Sequence, residues 1–155
     1  MRLDGPTDSL ELRLVSYQFA HAAEWWDANW LVVEIGAQLN GRRWRARDAA
    51  LLTVDVAEMA DWLGRVATGR DVPETIDFTE PCLALTVDHG AAEAPALYVD
   101  LAHEFSPPWL DGEARLDGVR LHLDLDRVVL LDAASSLRLQ LAGLPPRGKR
   151  TLANE

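Results

Sequence analysis

Several things are scarce in this chain of 155 residues, and each shortage excludes something. There is one cysteine, Cys82, so no disulfide can form within the chain and no cysteine-rich metal knuckle is available. Basic residues number 15 against 25 acidic ones, a formal charge of −10. A surplus of that sign repels nucleic acid and anionic membranes over their whole approach, although it leaves a basic protein partner open. No apolar run reaches the length of a membrane span, and MRLDGPTDSL lacks the apolar core of a signal peptide, so the sequence reads as cytoplasmic. Neither a P-loop nor a G-x-G-x-x-G motif occurs, so no phosphate cradle is expected.

What is present suffices for one folded domain. Hydrophobic residues make up 48% of the chain, enough at this length to build a core without metals or disulfides. The charge divides unevenly. Residues 1–146 carry twelve basic and twenty-four acidic side chains, a balance of −12, whereas 147–155 set Arg147, Lys149 and Arg150 against Glu155. The sequence therefore reads as a single domain over 1–146 followed by a flexible basic tail over 147–155, solvated rather than bound to nucleic acid.

The sharpest local signal is a hairpin. Asn40-Gly41 tolerates the positive φ angles of a two-residue type I′ turn and joins Trp30–Leu39 to Arg42–Leu51. The turn fixes the register, pairing Leu39 with Arg42, Ala37 with Trp44, Ile35 with Ala46 and Glu34 with Arg47. One face is then apolar, and the other carries Glu34, Gln38, Arg43, Arg45 and Arg47. Three arginines at alternate positions can hold an anion, but with Glu34 opposite Arg47 on an acidic body they read as a solvated face. Leu10, Leu12 and Leu14 alternate in an earlier strand.

A helix follows, with Asp55 to Glu58 at capping-box spacing, Val56, Met59, Ala60, Leu63 and Val66 on one stripe, and Gly69 as its stop. Three strand-like runs come next, Cys82–Asp88, Ala96–Phe105 and Val119–Leu125. A second helix is expected over Arg127–Gly143, capped by Asp126 and stopped by Pro145-Pro146. The order βββαβββα, without strand-helix-strand alternation, predicts an α+β domain. Its sheet would be antiparallel with about six strands, and two helices would pack against it.

Catalytic candidates are few. His122, Asp124 and Asp126 alternate on one strand face, the arrangement a metal-dependent enzyme would need, but a solvated strand of an acidic protein has the same composition. His103 shares a strand face with Leu97, Val99 and Leu101 and reads as a core or edge histidine. Cys82 sits in an apolar strand where burial makes a thiol inert. Ser135-Ser136 lies within a helix and lacks a nucleophile elbow. No catalytic residue, cofactor or metal ligand is assigned.

The unusual segment is HAAEWWDANW, His21 to Trp30. Trp25 and Trp26 are adjacent and cannot both point into one strand face, and Glu24 and Asp27 flank them. Tryptophan ringed by charge is the composition of a protein-binding hot spot, and equally of a lid over a sheet edge. Trp109, after Ser106-Pro107-Pro108, offers a similar aromatic. Glu24, Trp25, Trp26, Asp27 and Trp109 are therefore the candidate protein-binding residues.

Four blocks resemble one family: DANWLVVEI (Asp27–Ile35), GRRWRARDAALLTVDVAEMADWL (Gly41–Leu63), FTEP (Phe78–Pro81) and SLRLQLAGLPPR (Ser136–Arg147). In content and order they are similar to the WapI-type immunity proteins. The chain departs at Ala49-Ala50, where the family has Pro-Cys, at Val54-Asp55, where it has Trp-Glu, and at Cys82, where it has Asn. The resemblance implies a cytosolic antitoxin that binds and neutralises the C-terminal toxin domain of a polymorphic toxin, a tRNA-cleaving nuclease in the case of the family's namesake. It implies a cognate toxin domain as partner, and the acidic body adds the expectation that this partner has a basic surface. Two other readings stand beside it: a protein-interaction domain unrelated to toxins, and a small metal-dependent enzyme using His122, Asp124 and Asp126.

Overall fold

A computed structural model describes residues 1–90 and 95–148. The fold is α+β, but its strands form two four-stranded antiparallel sheets rather than one sheet of six. The first sheet has the order β1 (Arg2–Asp4), β2 (Ser9–Tyr17), β3 (Trp30–Leu39) and β4 (Arg42–Leu52). The second has β5 (Thr75–Asp77), β6 (Leu83–Asp88), β7 (Ala96–Leu101) and β8 (Val119–Asp124). Four α-helices accompany them among the described residues: α1 (Trp25–Asn29), α2 (Thr53–Ala67), α3 (Gly112–Asp117) and α4 (Arg127–Gly143). The elements absent from the expected order are short ones. β1 and β5 have three residues each, too few to show an alternation.

The hairpin adopts the expected register at all four pairs, with Asn40 at φ 48° and Gly41 at φ 82°. α4 begins and ends at the expected residues, and the Asp126 carboxylate accepts the Val129 N–H at 2.9 Å. In α2 the capping differs. The helix starts at Thr53, so Asp55 stands on the third helical residue and reaches back to accept the Leu52 N–H at 2.8 Å. Burial pushes the Asp55 carboxyl above its ordinary value, against the opposing effect of that bond.

A second departure concerns His103. The strand expected over Ala96–Phe105 ends at Leu101, and His103–Phe105 form a 3₁₀ turn with His103 at φ 50°. Phe105 nevertheless remains fully buried, which is why the alternation through Leu101, His103 and Phe105 imitates a strand. Gly118 explains the turn's neighbour. At φ 69° it lies against β7's end, where an added Cβ would fall 2.1 Å from the Leu101 carbonyl oxygen.

The two sheets share one core. The inner face of the first supplies Leu3, Leu10, Leu12, Leu31, Val33 and Ile35, and the second supplies Leu83, Leu85, Val99, Leu121 and Leu123. Helices α2 and α4 pack on each other and add Met59, Leu63, Leu130 and Leu137. Each such side chain, fully buried, contributes about 1.5–3 kcal/mol. Polar links tie the layers together. The buried Asp8 carboxylate accepts the Asn40 N–H at the hairpin tip and the His122 N–H in β8, both at 3.0 Å. Gln140 of α4 accepts the Leu14 N–H at 2.8 Å, beside a bulge in β2. No helix among the described residues is long and apolar enough to cross a membrane.

Candidate functional site

The segment from Tyr17 to Trp30 leaves β2, makes the single-turn helix α1 and returns as β3. One turn of helix has no intrinsic stability, so it must be held from outside. Asn29, the last residue of α1, makes the link to the rest of the domain. It is completely buried, and its side-chain amide donates to the Trp25 and Arg147 carbonyls, both at 2.8 Å. Its carbonyl oxygen accepts the Thr53 hydroxyl at 2.8 Å and the Arg147 N–H at 2.9 Å. Both donors and both lone pairs are thus used, and the amide can be oriented only one way.

Arg147 holds the same segment from the other side. Its guanidinium donates to the carbonyls of Ala28 at 2.9 Å, Ala20 at 2.9 Å and Phe19 at 2.7 Å, and lies 3.6 Å over the Tyr17 ring. The Tyr17 hydroxyl in turn donates to the Pro145 carbonyl. Arg147, the first residue of the stretch read as a tail, is therefore docked onto the domain, while Lys149, Arg150 and Glu155 lie outside the described residues.

This clasp presents an aromatic surface. Trp25 is half-buried and meets Trp26 edge to face, with ring centroids 5.1 Å apart. Trp26 is 50% exposed and Phe19 44%. Glu24 and Asp27, which flank the two tryptophans in the chain, are exposed. Four of the five candidate residues thus lie together around α1.

Trp109 lies elsewhere. It is half-buried against Trp44 in an edge contact of 5.3 Å, and the Arg42 guanidinium covers its ring at 3.8 Å. Trp44 pairs with Ala37, seven residues along β3 from Trp30. At roughly 3.3 Å per residue that places Trp44, on which Trp109 packs, about 23 Å from the end of α1. Trp109 belongs with the hairpin tip, packed on the core cluster.

The remaining candidates are committed to local partners. His122 pairs with Asp124 at 3.2 Å and stacks on Tyr98, while Asp126 turns away to cap α4. Among the described residues no group of three metal-ligating side chains converges. Cys82 is buried, and burial pushes its thiol up to about 12, so at neutral pH it holds its proton. Asn29 and Arg147 are the residues that the sequence did not single out. Both lie inside the quoted blocks DANWLVVEI and SLRLQLAGLPPR, but nothing local shows that they meet 118 residues apart.

The model of the immunity protein WapI-like family matches residues 2–145, nearly all of the described fold. No curated protein and no solved structure matches the chain.

Proposed function

The chain belongs to the immunity protein WapI-like family, and from that premise we propose that it binds a cognate toxin domain in the cytosol and neutralises it by covering its active surface. The observation that carries this reading is the extent of the family match, 2–145, which takes in both sheets and the α1 segment together. The action is stoichiometric binding rather than catalysis. In support, the polar groups that resemble catalytic sets are engaged in packing: Asp126 caps a helix, His122 stacks on Tyr98, and the Cys82 thiol is buried.

The α1 surface is the contact we assign to the toxin. Trp26 supplies exposed apolar area, Glu24 and Asp27 supply negative charge next to it in the chain, and Phe19 adds an exposed ring in the segment that Arg147 ties to α1. The clasp by Asn29 and Arg147 holds this surface in place before binding, which lowers the ordering cost of association. An acidic body suits a toxin with a basic substrate cleft, as a nuclease has, because the potential that attracts phosphates also attracts carboxylates. A tRNA-cleaving nuclease is one such toxin.

The test is kinetic. Glu24→Lys together with Asp27→Lys slows association with the cognate toxin domain by about tenfold at low salt, and less at 0.5 M salt. Trp26→Ala acts on dissociation instead. Binding rates unchanged by both variants remove α1 from the interface.

A further inference from the structure

The solvent face of the first sheet runs against the charge of the molecule. The pairings place Arg2, Glu11, Gly36 and Arg45 in one row across the sheet, Arg13, Glu34 and Arg47 in the next, and Asp4, Ser9, Gln38 and Arg43 in a third. Five arginines face three carboxylates there, on a chain whose formal charge is −10. Glu34 serves both Arg13, at 2.9 Å, and Arg45, at 3.6 Å, and Asp4 is paired with Arg2 at 2.7 Å. Arg43 bonds only the neutral Gln38, and among the described residues no carboxylate lies within ion-pair distance of Arg43 or Arg47. Because Gly36 has no side chain, a depression of about 600 Å³ opens between Arg2, Glu11, Arg43 and Arg45.

The backbone beneath these arginines has a definite orientation. A two-residue turn closes on a hydrogen-bonded pair, here Leu39 with Arg42, and pairs then alternate along the ladder. Arg43, Arg45 and Arg47 consequently occupy the non-hydrogen-bonded pairs opposite Gln38, Gly36 and Glu34. Their N–H and C=O groups point away from β3, toward the outer edge of β4. β4 is an edge strand; the His103–Phe105 turn packs against it, with the Trp44 ring N–H donating to the Phe105 carbonyl at 3.0 Å, but no hydrogen bond to another described residue uses those main-chain groups. The same three residues thus offer main-chain pairing groups and positive side chains, repeating about every 6.7 Å.

We propose that the β4 edge takes an extended acidic segment of a partner protein as a fifth strand, with main-chain bonds to residues 43, 45 and 47. Its carboxylates, at alternate positions, would face Arg43, Arg45 and Arg47. An added antiparallel strand has the repeat of β4 itself, so each carboxylate on the solvent face stands beside one arginine, with Cα atoms about 5.5 Å apart. A second copy of this chain is the wrong occupant, since two β4 edges meeting antiparallel set arginine against arginine. A nucleic acid is disfavoured because its phosphates would extend past this face onto the acidic body. The assignment rests on the sheet alone, so its failure would leave the reading of α1 untouched.

The test uses the full chain, isotope-labelled, and an eight-residue peptide alternating glutamate and threonine. Titration should shift the amide signals of Arg43, Arg45 and Arg47, and binding should weaken at 0.5 M salt. The variant Arg43→Gln/Arg45→Gln/Arg47→Gln, shown by circular dichroism to be folded, should weaken binding tenfold or more. A peptide N-methylated at the amides facing β4 should not bind, which separates strand addition from simple charge attraction. Several outcomes overturn the proposal: no shift in β4, equal binding by a lysine-threonine peptide, equal binding by the triple variant or the N-methylated peptide, tighter binding of single-stranded DNA, or concentration-dependent dimers mapping to β4.

Discussion

Replacing Arg147 with alanine should unlatch the α1 surface without unfolding the domain. The guanidinium makes three hydrogen bonds, of which the one to Ala28 is partly buried and those to Ala20 and Phe19 are exposed. A partly buried charged bond contributes about 1.5 kcal/mol and exposed ones about 0.5 kcal/mol each. The stacking on Tyr17 adds about 0.5 kcal/mol. The loss is then about 3 kcal/mol, confined to residues 18–29, because the bonds between the Arg147 main chain and the Asn29 side-chain amide survive the substitution. An opening equilibrium shifted by that amount changes roughly 100-fold. Hydrogen exchange should therefore accelerate by about two orders of magnitude at the amides of α1, while those of β3 and α4 keep their protection. Arg147→Lys should behave almost as badly, since a single ammonium cannot reach three carbonyls spread across 19–28. Unchanged exchange in α1, or an equal loss of protection throughout the protein, would refute the reasoning.

Other expectations follow from single positions. Gly118→Ala sets a methyl group 2.1 Å from the Leu101 oxygen and 2.6 Å from the Ala102 Cα, at a φ of 69°. The cost is about 3 kcal/mol or more, seen as a thermal midpoint lower by roughly 10 °C; a midpoint within 2 °C or so of the parent would show that β7 has room to yield. Asp55 binds its proton more tightly when folded, because burial disfavours the charge. It therefore opposes folding as pH rises from 3.8, its ordinary value, through the raised folded value. Asp55→Asn should accordingly gain stability relative to the parent across that window in denaturant titrations, and a difference independent of pH would contradict it.

Much of this architecture was legible in local sequence. Asn40-Gly41 admits one tight turn, so the register of β3 on β4 followed from two residues. Asp126 and Pro145-Pro146 bounded α4 because capping and chain stiffness act over a few residues. What was illegible depends on distance. Which strands share a sheet is decided after α2 separates β4 from β5, and no periodicity encodes that choice. The His103 turn was hidden because Phe105 stays buried whether the chain is extended or coiled. Around α1 the sequence supplied Glu24, Trp25, Trp26 and Asp27 but not their anchor, since Asn29, Thr53 and Arg147 converge only through the tertiary fold. Trp109 shares the composition of that site and sits at the other end of β3. An aromatic beside prolines marks a solvent-accessible bend, and it carries no information about the neighbour it packs on.

The charge has also acquired a geography. A balance of −12 over residues 1–146 describes the body, yet the solvent face of the first sheet is locally positive. Carboxylates on α1 and arginines on β4 suit opposite chemistries, so one partner could engage both with a basic cleft and an acidic strand.

The most direct measurement is titration of this chain into a purified candidate toxin domain, taken from a polymorphic-toxin gene found next to its own, with complex formation and toxin activity followed together. A stoichiometric complex, with activity falling to zero at one equivalent, is the predicted result. An active toxin that forms no complex with the folded protein would contradict the account.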